Sequence, residues 1–235
     1  MAQKISLFGK ETNEHLGFRE LAWKVDFPEW FEVYQSLKEV VTEPVDLIKN
    51  VSMAGNKELI PHIFTRADSE IYHVTGMVNG FVYSDDSDIK QSLKNCFKGN
   101  PDFAYHLLFG RVALSHFEGS NPDPHDYLSF LFQLKEEVEE HNKQEGSAGI
   151  VSIQSTTETP EFHFLAIDQG AYIIGELPHQ GYDWVRDKFE MFDAQPAYEV
   201  IKNHYQQRAE KFDAKSLSSM KDVDVVNLES LLTML

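Results

Sequence analysis

Three groups able to move protons or hold a metal sit in the run Pro160-Glu-Phe-His-Phe-Leu-Ala-Ile-Asp168: Glu161, His163 and Asp168. The aromatic and β-branched residues over 162–167 predict a strand, on which Glu161 and His163, two apart, share a face. Asp168-Gln169-Gly170 then reads as a turn, with a further strand over 171–176. Two carboxylates and an imidazole form a polar cluster or a metal site if they converge. A metal-assisted hydrolase would also need an open coordination position beside them. The commoner role for such a histidine is a satisfied internal hydrogen bond. His179, just past the second strand, stands where it could reach a cleft at the sheet's edge.

Other reactive residues have plainer explanations. Asp123, His125 and Asp126 lie in a Pro-rich loop entering a helix, where capping is the usual use of an aspartate. His62 and His73 show no ligand spacing. Cys96 is the single cysteine, so no intrachain disulfide can form, and its setting among Ile89, Leu93 and Phe97 predicts a small buried hydrophobe. Glu136, Glu137, Glu139 and Glu140 read as a solvated helix face. No Walker A loop, dinucleotide fingerprint, His-Glu-x-x-His, Cys-x-x-Cys or Gly-x-Ser-x-Gly occurs, so no cofactor is expected.

The elements that must position these groups follow from periodicity. Pro28, then Trp30, Phe31, Tyr34, Leu37 and Val41, predicts a helix that Pro44 interrupts, with a second short helix over 44–53. The segments 71–75 and 81–83, joined through Asn79-Gly80, predict a hairpin. A helix over 89–97, a buried strand over 103–109 and a long helix over 125–142 follow. Strands over 150–153, 162–167 and 171–176 form a cluster, and helices over 182–192 and 197–212 close the chain. The tail from Asp222 to Leu235 is apolar enough to dock on the body or on a second copy. The alternation predicts an α/β fold, a mixed sheet with flanking helices and a helical N-terminal part. The expected divisions are a mainly helical part over 1–70 packed on the main domain, an α/β domain over 71–215 and a tail over 216–235.

The strand cluster resembles the second part of a phospholipase-D-like half-domain. That family carries His-x-Lys, four residues, Asp, and then a strand ending near a glycine. Anchoring on Asp168 sets Glu161 at the position of the nucleophilic histidine and His163 at that of the lysine, with Gly175 matching the later glycine. The resemblance spans roughly 80–215 and implies the fold without the family's hydrolysis, because Glu161 can do the work of neither the histidine nor the lysine on an anionic substrate. His141-Asn142-Lys143 also spells His-x-Lys, but Ala148 stands at the aspartate position.

Composition bounds the partners. With 42% hydrophobic residues and 17 phenylalanines among 235 residues, the chain can bury a large core. Thirty-eight acids against 21 bases give a net charge of −17, and no run of Lys and Arg occurs. Nucleic acid and anionic membrane surfaces are therefore disfavoured partners. A protein partner or self-association is expected, and a small ligand is allowed. No apolar run of about 18 residues and no secretion signal appear, which points to the cytoplasm. The expected function is a non-catalytic ligand- or partner-binding regulatory protein. Its ligand would meet Glu161, His163, Asp168 and His179. The alternatives are an assembly protein without a small-molecule site and a hydrolase built on Glu161, His163 and Asp168.

Overall fold

Strand β2 (Glu70–Val78) is apolar on both faces, as a strand covered on two sides must be. Ile71 and Val74 are fully buried and Tyr72 nearly so. The computed structural model describes residues 28–41, 45–49, 53–78, 88–112, 124–158, 160, 163–177 and 185–223. Within them β2 lies inside an eight-stranded mixed sheet.

The elements in chain order are α1 (Pro28–Val40), β1 (Val45–Lys49), α2 (Met53–Phe64), β2, α3 (Ile89–Gly99) and β3 (Ala104–Val112). There follow α4 (Pro124–Glu145), β4 (Ile150–Ser155), β5 (His163–Ile167), β6 (Gly170–Leu177), β7 (Val185–Phe192), α5 (Gln195–Lys211) and the short β8 (Lys215–Ser216). The strand order is β1-β7-β6-β5-β2-β3-β4-β8. Strands β2, β3 and β4 run parallel, which the crossovers through α3 and α4 permit. The connections β5–β6 and β6–β7 are antiparallel neighbours.

Helices cover both faces. One apolar cluster joins Ile63 and Phe64 of α2, Leu93 of α3 and Leu128 and Leu131 of α4 to Ile71, Tyr105 and Leu165 on the sheet. The other joins Val33 and Leu37 of α1 and Ile201 and Tyr205 of α5 to Tyr72, Leu108 and Phe164. The two sets alternate along each strand, the period-two pattern of a sheet buried between helical layers. The expected mixed α/β sheet with flanking helices is the fold.

Two expected helices are strands. Residues Val45–Lys49 form β1, antiparallel to β7 with a register shift between Asp46 and Ile48, where a helix over 44–53 was predicted. Residues Val185–Phe192 form β7 rather than a helix over 182–192. Each strand supplies the other's hydrogen-bond partner, and that long-range pairing outweighs a short local pattern. The hairpin's first arm is β2, which pairs with β3 on one edge and with β5 over Ile71–Val74 on the other. Its second arm, and the apolar tail from Val225 to Leu235, lie outside the described residues. Leu217 and Val223, just before that tail, are buried.

Candidate functional site

The strand registers line up a polar row across the sheet. His163 of β5 meets Thr75 of β2 through their side chains, Thr75 is opposite Phe109 of β3, and Phe109 is opposite Ser155 of β4. His163 also pairs with Ile174 of β6. The row crosses the carboxyl-terminal halves of the three parallel strands, ending β4 at Ser155 and standing three residues before the ends of β2 and β3, on the side at which open α/β sheets bind ligands. Laterally paired residues share a face, so His163, Thr75 and Ser155 project on the side of α2, α3 and α4.

His163 Nδ1 lies 2.7 Å from Thr75 Oγ1. Thr75 is fully buried and His163 half-buried. Burial penalises the imidazolium and pushes His163 down to about 4, so the ring is neutral at physiological pH. One step along β2, His73 is 1% exposed, with Nδ1 2.8 Å from the Tyr105 hydroxyl, which in turn lies 3.0 Å from the Tyr127 hydroxyl. Burial first, and the neighbouring His163 second, push His73 down to about 3. Ser155 is buried as well, and its hydroxyl has no hydrogen-bond partner among the described residues. A buried hydroxyl without a partner costs of order 1–3 kcal/mol. Among the described residues the site is thus a polar seam of neutral imidazoles and hydroxyls with hydrogen-bonding capacity.

Asp168 serves elsewhere. Its carboxylate accepts the Asp68 and Ser69 amides at 2.8 Å each, a longer bond from the Glu70 amide at 3.4 Å, and the Ser69 hydroxyl. Burial alone would raise its pKa, but these donors bring it below the usual carboxylate value. The β5–β6 turn is thereby fastened to the loop between α2 and β2. His163 and Asp168 stand at opposite ends of β5, about 16 Å apart along the strand, and do not converge. Glu161 and His179 lie outside the described residues. Among those described, no three His, Cys, Asp or Glu side chains gather as metal ligands. Cys96 donates to the Phe64 and Ser92 carbonyls at 3.3 Å, and burial pushes its thiol up to about 11, the chemistry of a packing residue.

Thr75, Ser155, His73 and Tyr105 did not emerge from the sequence as site residues. His73 and Thr75 sit in a strand that is otherwise apolar on both faces, and their polarity at core positions was the signal that could have found them. Ser155 ends a strand that the sequence marked only as far as Ile153. On the opposite face, Glu70 accepts hydrogen bonds from Lys202 at 2.9 Å and from Tyr198, and the ammonium lies 5.4 Å from the Tyr72 ring centre. This closed ion pair fixes α5 on the sheet.

No protein-family model matches the sequence, and no curated protein does. Among the solved structures similar in arrangement are the following two. The archaeal chromatin protein TrmBL2, whose structure shows a novel mode of DNA binding, matches with a TM-score of 0.47 and 12% identity, over 87% of this chain and 66% of its own. The phosphatidylserine synthase of Haemophilus influenzae Rd KW20 matches with a TM-score of 0.43 and 14% identity, over 75% of this chain and 41% of its own. This chain therefore spans less than two thirds of either protein. The first match corrects the expectation that nucleic acid is disfavoured as a partner, since one of the similar structures is a DNA-binding protein. The physical reason is that a net charge of −17 is a sum over the whole surface and excludes no single face. At this level of similarity neither match assigns DNA binding or lipid synthesis to this chain. No helix of the described residues is long and apolar enough to cross a membrane.

Proposed function

We propose that the chain is a non-catalytic, ligand- or partner-binding regulatory protein whose α/β domain is a degenerate phospholipase-D-like fold. One observation carries the reading: the imidazole standing where that family has its lysine is held neutral against Thr75. Phosphoryl transfer needs cations aimed at the phosphate oxygens, and a neutral imidazole supplies none. The aspartate of the pattern is occupied by backbone amides. What remains is hydrogen-bonding capacity, His163 beside Thr75 and the unpartnered Ser155 hydroxyl, at the end of the sheet that commonly takes ligands. That chemistry suits an uncharged polar molecule better than a phosphodiester.

Two measurements test the two halves of the reading. Bis(p-nitrophenyl) phosphate, incubated with the full chain from pH 5 to 9 with and without Mg2+, Mn2+ or Zn2+, should be hydrolysed no faster than in buffer. Hydrolysis that disappears in His163→Ala would overturn the non-catalytic half. For the binding half, a panel of uncharged sugars and nucleosides should contain a compound that raises the melting temperature of the wild type but not of Ser155→Ala. A panel without any such shift would remove the seam as a binding site.

A further inference from the structure

A cleft of about 310 Å³ lies between α3 and α4, remote from the polar seam and independent of its reading. Its apolar floor is Phe97, Leu134 and Val138, all at or below 9% exposed. Pro101 closes one end. The rim carries Lys94, Lys98, Glu137 and His141. Lys94 is paired with Glu137 at 3.8 Å and lies 5.6 Å from the Phe130 ring centre. Lys98 and His141 are exposed and make no side-chain hydrogen bond or ion pair with a described residue. In a chain of net charge −17, an uncommitted ammonium over an apolar floor is a local exception.

The end of the cleft is built. Asn142 on α4 donates to the Gly149 carbonyl at 2.8 Å and accepts its amide at 3.1 Å, while the Ser147 hydroxyl donates to the same side-chain oxygen. Asp102 accepts the Ala148 amide at 2.7 Å. A Cβ at Gly149 would fall 2.5 Å from the Pro101 carbonyl oxygen, so only glycine lets the two loops approach this closely. A concave surface fixed before binding spares the ordering cost that weakens association with a mobile one. The His-x-Lys at 141–143 therefore lies at the end of a helix, where His141 borders this cleft and Asn142 braces its loop.

The geometry points to a binding site for a medium-chain amphiphilic monocarboxylate, its carboxylate at Lys98 and His141 and its alkyl chain along Phe97, Leu134 and Val138. Charge selects the head group. Lys94 is paired with Glu137, which leaves one lysine for one negative charge, and the second charge of a dianion would have no cation to meet. Length selects the tail. Leu134 to His141 spans about 10 Å of α4, the reach of roughly eight carbons.

Isothermal titration of the full chain with octanoate, octan-1-ol and octyl phosphate tests the assignment. Octanoate should bind saturably at one site per chain and tighter than either comparator. Lys98→Ala, an exposed change that leaves the fold intact, should weaken octanoate by about two- to fivefold, the scale of a solvent-exposed ion pair. The same substitution should leave octan-1-ol unaffected. Amide chemical-shift changes should cluster at 94–101 and 134–141. The proposal fails if octanoate shows no saturable binding, if octan-1-ol binds equally well with Lys98→Ala indifferent, if octyl phosphate binds tighter, or if the shifts fall elsewhere.

Discussion

At the scale of single residues, His163 and His73 carry a consequence for stability that their geometry makes specific. Both are held neutral in the folded chain, down to about pH 4 and about pH 3, whereas an imidazole in the unfolded chain titrates near 6.5. Below about pH 6.5 the unfolded chain therefore binds more protons, and stability falls as pH drops toward 4. Above that value these two groups contribute no pH dependence. Each histidine adds a slope of about 1.4 kcal/mol per pH unit within its window. Asp168 acts lower on the scale: its depressed pKa stabilises the fold above the ordinary carboxylate value and is lost only in stronger acid. Urea midpoints at pH 7.5, 6 and 5 should decline steadily, and His163→Gln, which can still hydrogen-bond Thr75, should show a visibly shallower decline. An unchanged slope in that variant would mean that His163 titrates normally and that the neutral seam is wrongly drawn.

At the scale of elements, the close approach behind Gly170 shows what local pattern leaves out. A Cβ there would lie 2.5 Å from the Phe192 carbonyl oxygen and 3.3 Å from the Asp193 Cα, both backbone atoms of the turn from β7 into α5. Gly170→Ala must push that turn aside. It should destabilise the chain by about 1–3 kcal/mol, read as a lower urea midpoint with an unchanged slope. A neutral result would show that the β7–α5 corner can shift freely. The sequence announced Asp168-Gln169-Gly170 as a turn, yet nothing in it places residue 192 against residue 170. The same limit explains β1 and β7. Helices α1, α3, α4 and α5 carry apolar residues at helical spacing, and β2 to β6 are dense in aromatic and β-branched residues, so both sets were legible. Strand β7 alternates charged Lys188 and Glu190 with Phe189 and Met191, a period of two that a short helical pattern can imitate. Pairing with a strand some 140 residues earlier decides between them. The candidate site was legible at His163 alone, since its companions Thr75 and Ser155 come from separate strands and are joined only by register.

At the scale of the whole molecule, the chain's early and late segments are interlocked. β1 pairs with β7, and α1 packs beside α5. Glu29, in the first turn of α1, accepts hydrogen bonds from the buried guanidinium of Arg208 and, at 2.9 Å, pairs with His204, both on α5. Arg208 also donates to the Glu158 carbonyl at 2.8 Å and lies 4.6 Å from the Phe212 ring centre. Burial would raise the Glu29 pKa, but the bonds from His204 and Arg208 bring it below its ordinary value, so the carboxylate is ionised throughout the neutral range. Removing one partner strands the other. Glu29→Ala leaves an uncompensated guanidinium, 1% exposed, and should cost about 3–5 kcal/mol. Replacing both groups with apolar ones, Glu29→Leu with Arg208→Met, should recover most of that loss, because neither charge then has to be desolvated. The same experiment asks whether residues 28–64 fold with the rest of the sheet or apart from it. With Trp23→Phe and Trp184→Phe as the background, fluorescence reports Trp30 of α1 alone, whereas far-UV circular dichroism reports every helix. Transitions by fluorescence and by dichroism that coincide in this single-tryptophan background and move together when Glu29→Ala is added would mean one cooperative unit. A fluorescence transition that moves alone would mean that α1 is an appendage, whose clasp on Arg208 stabilises its docking rather than the fold.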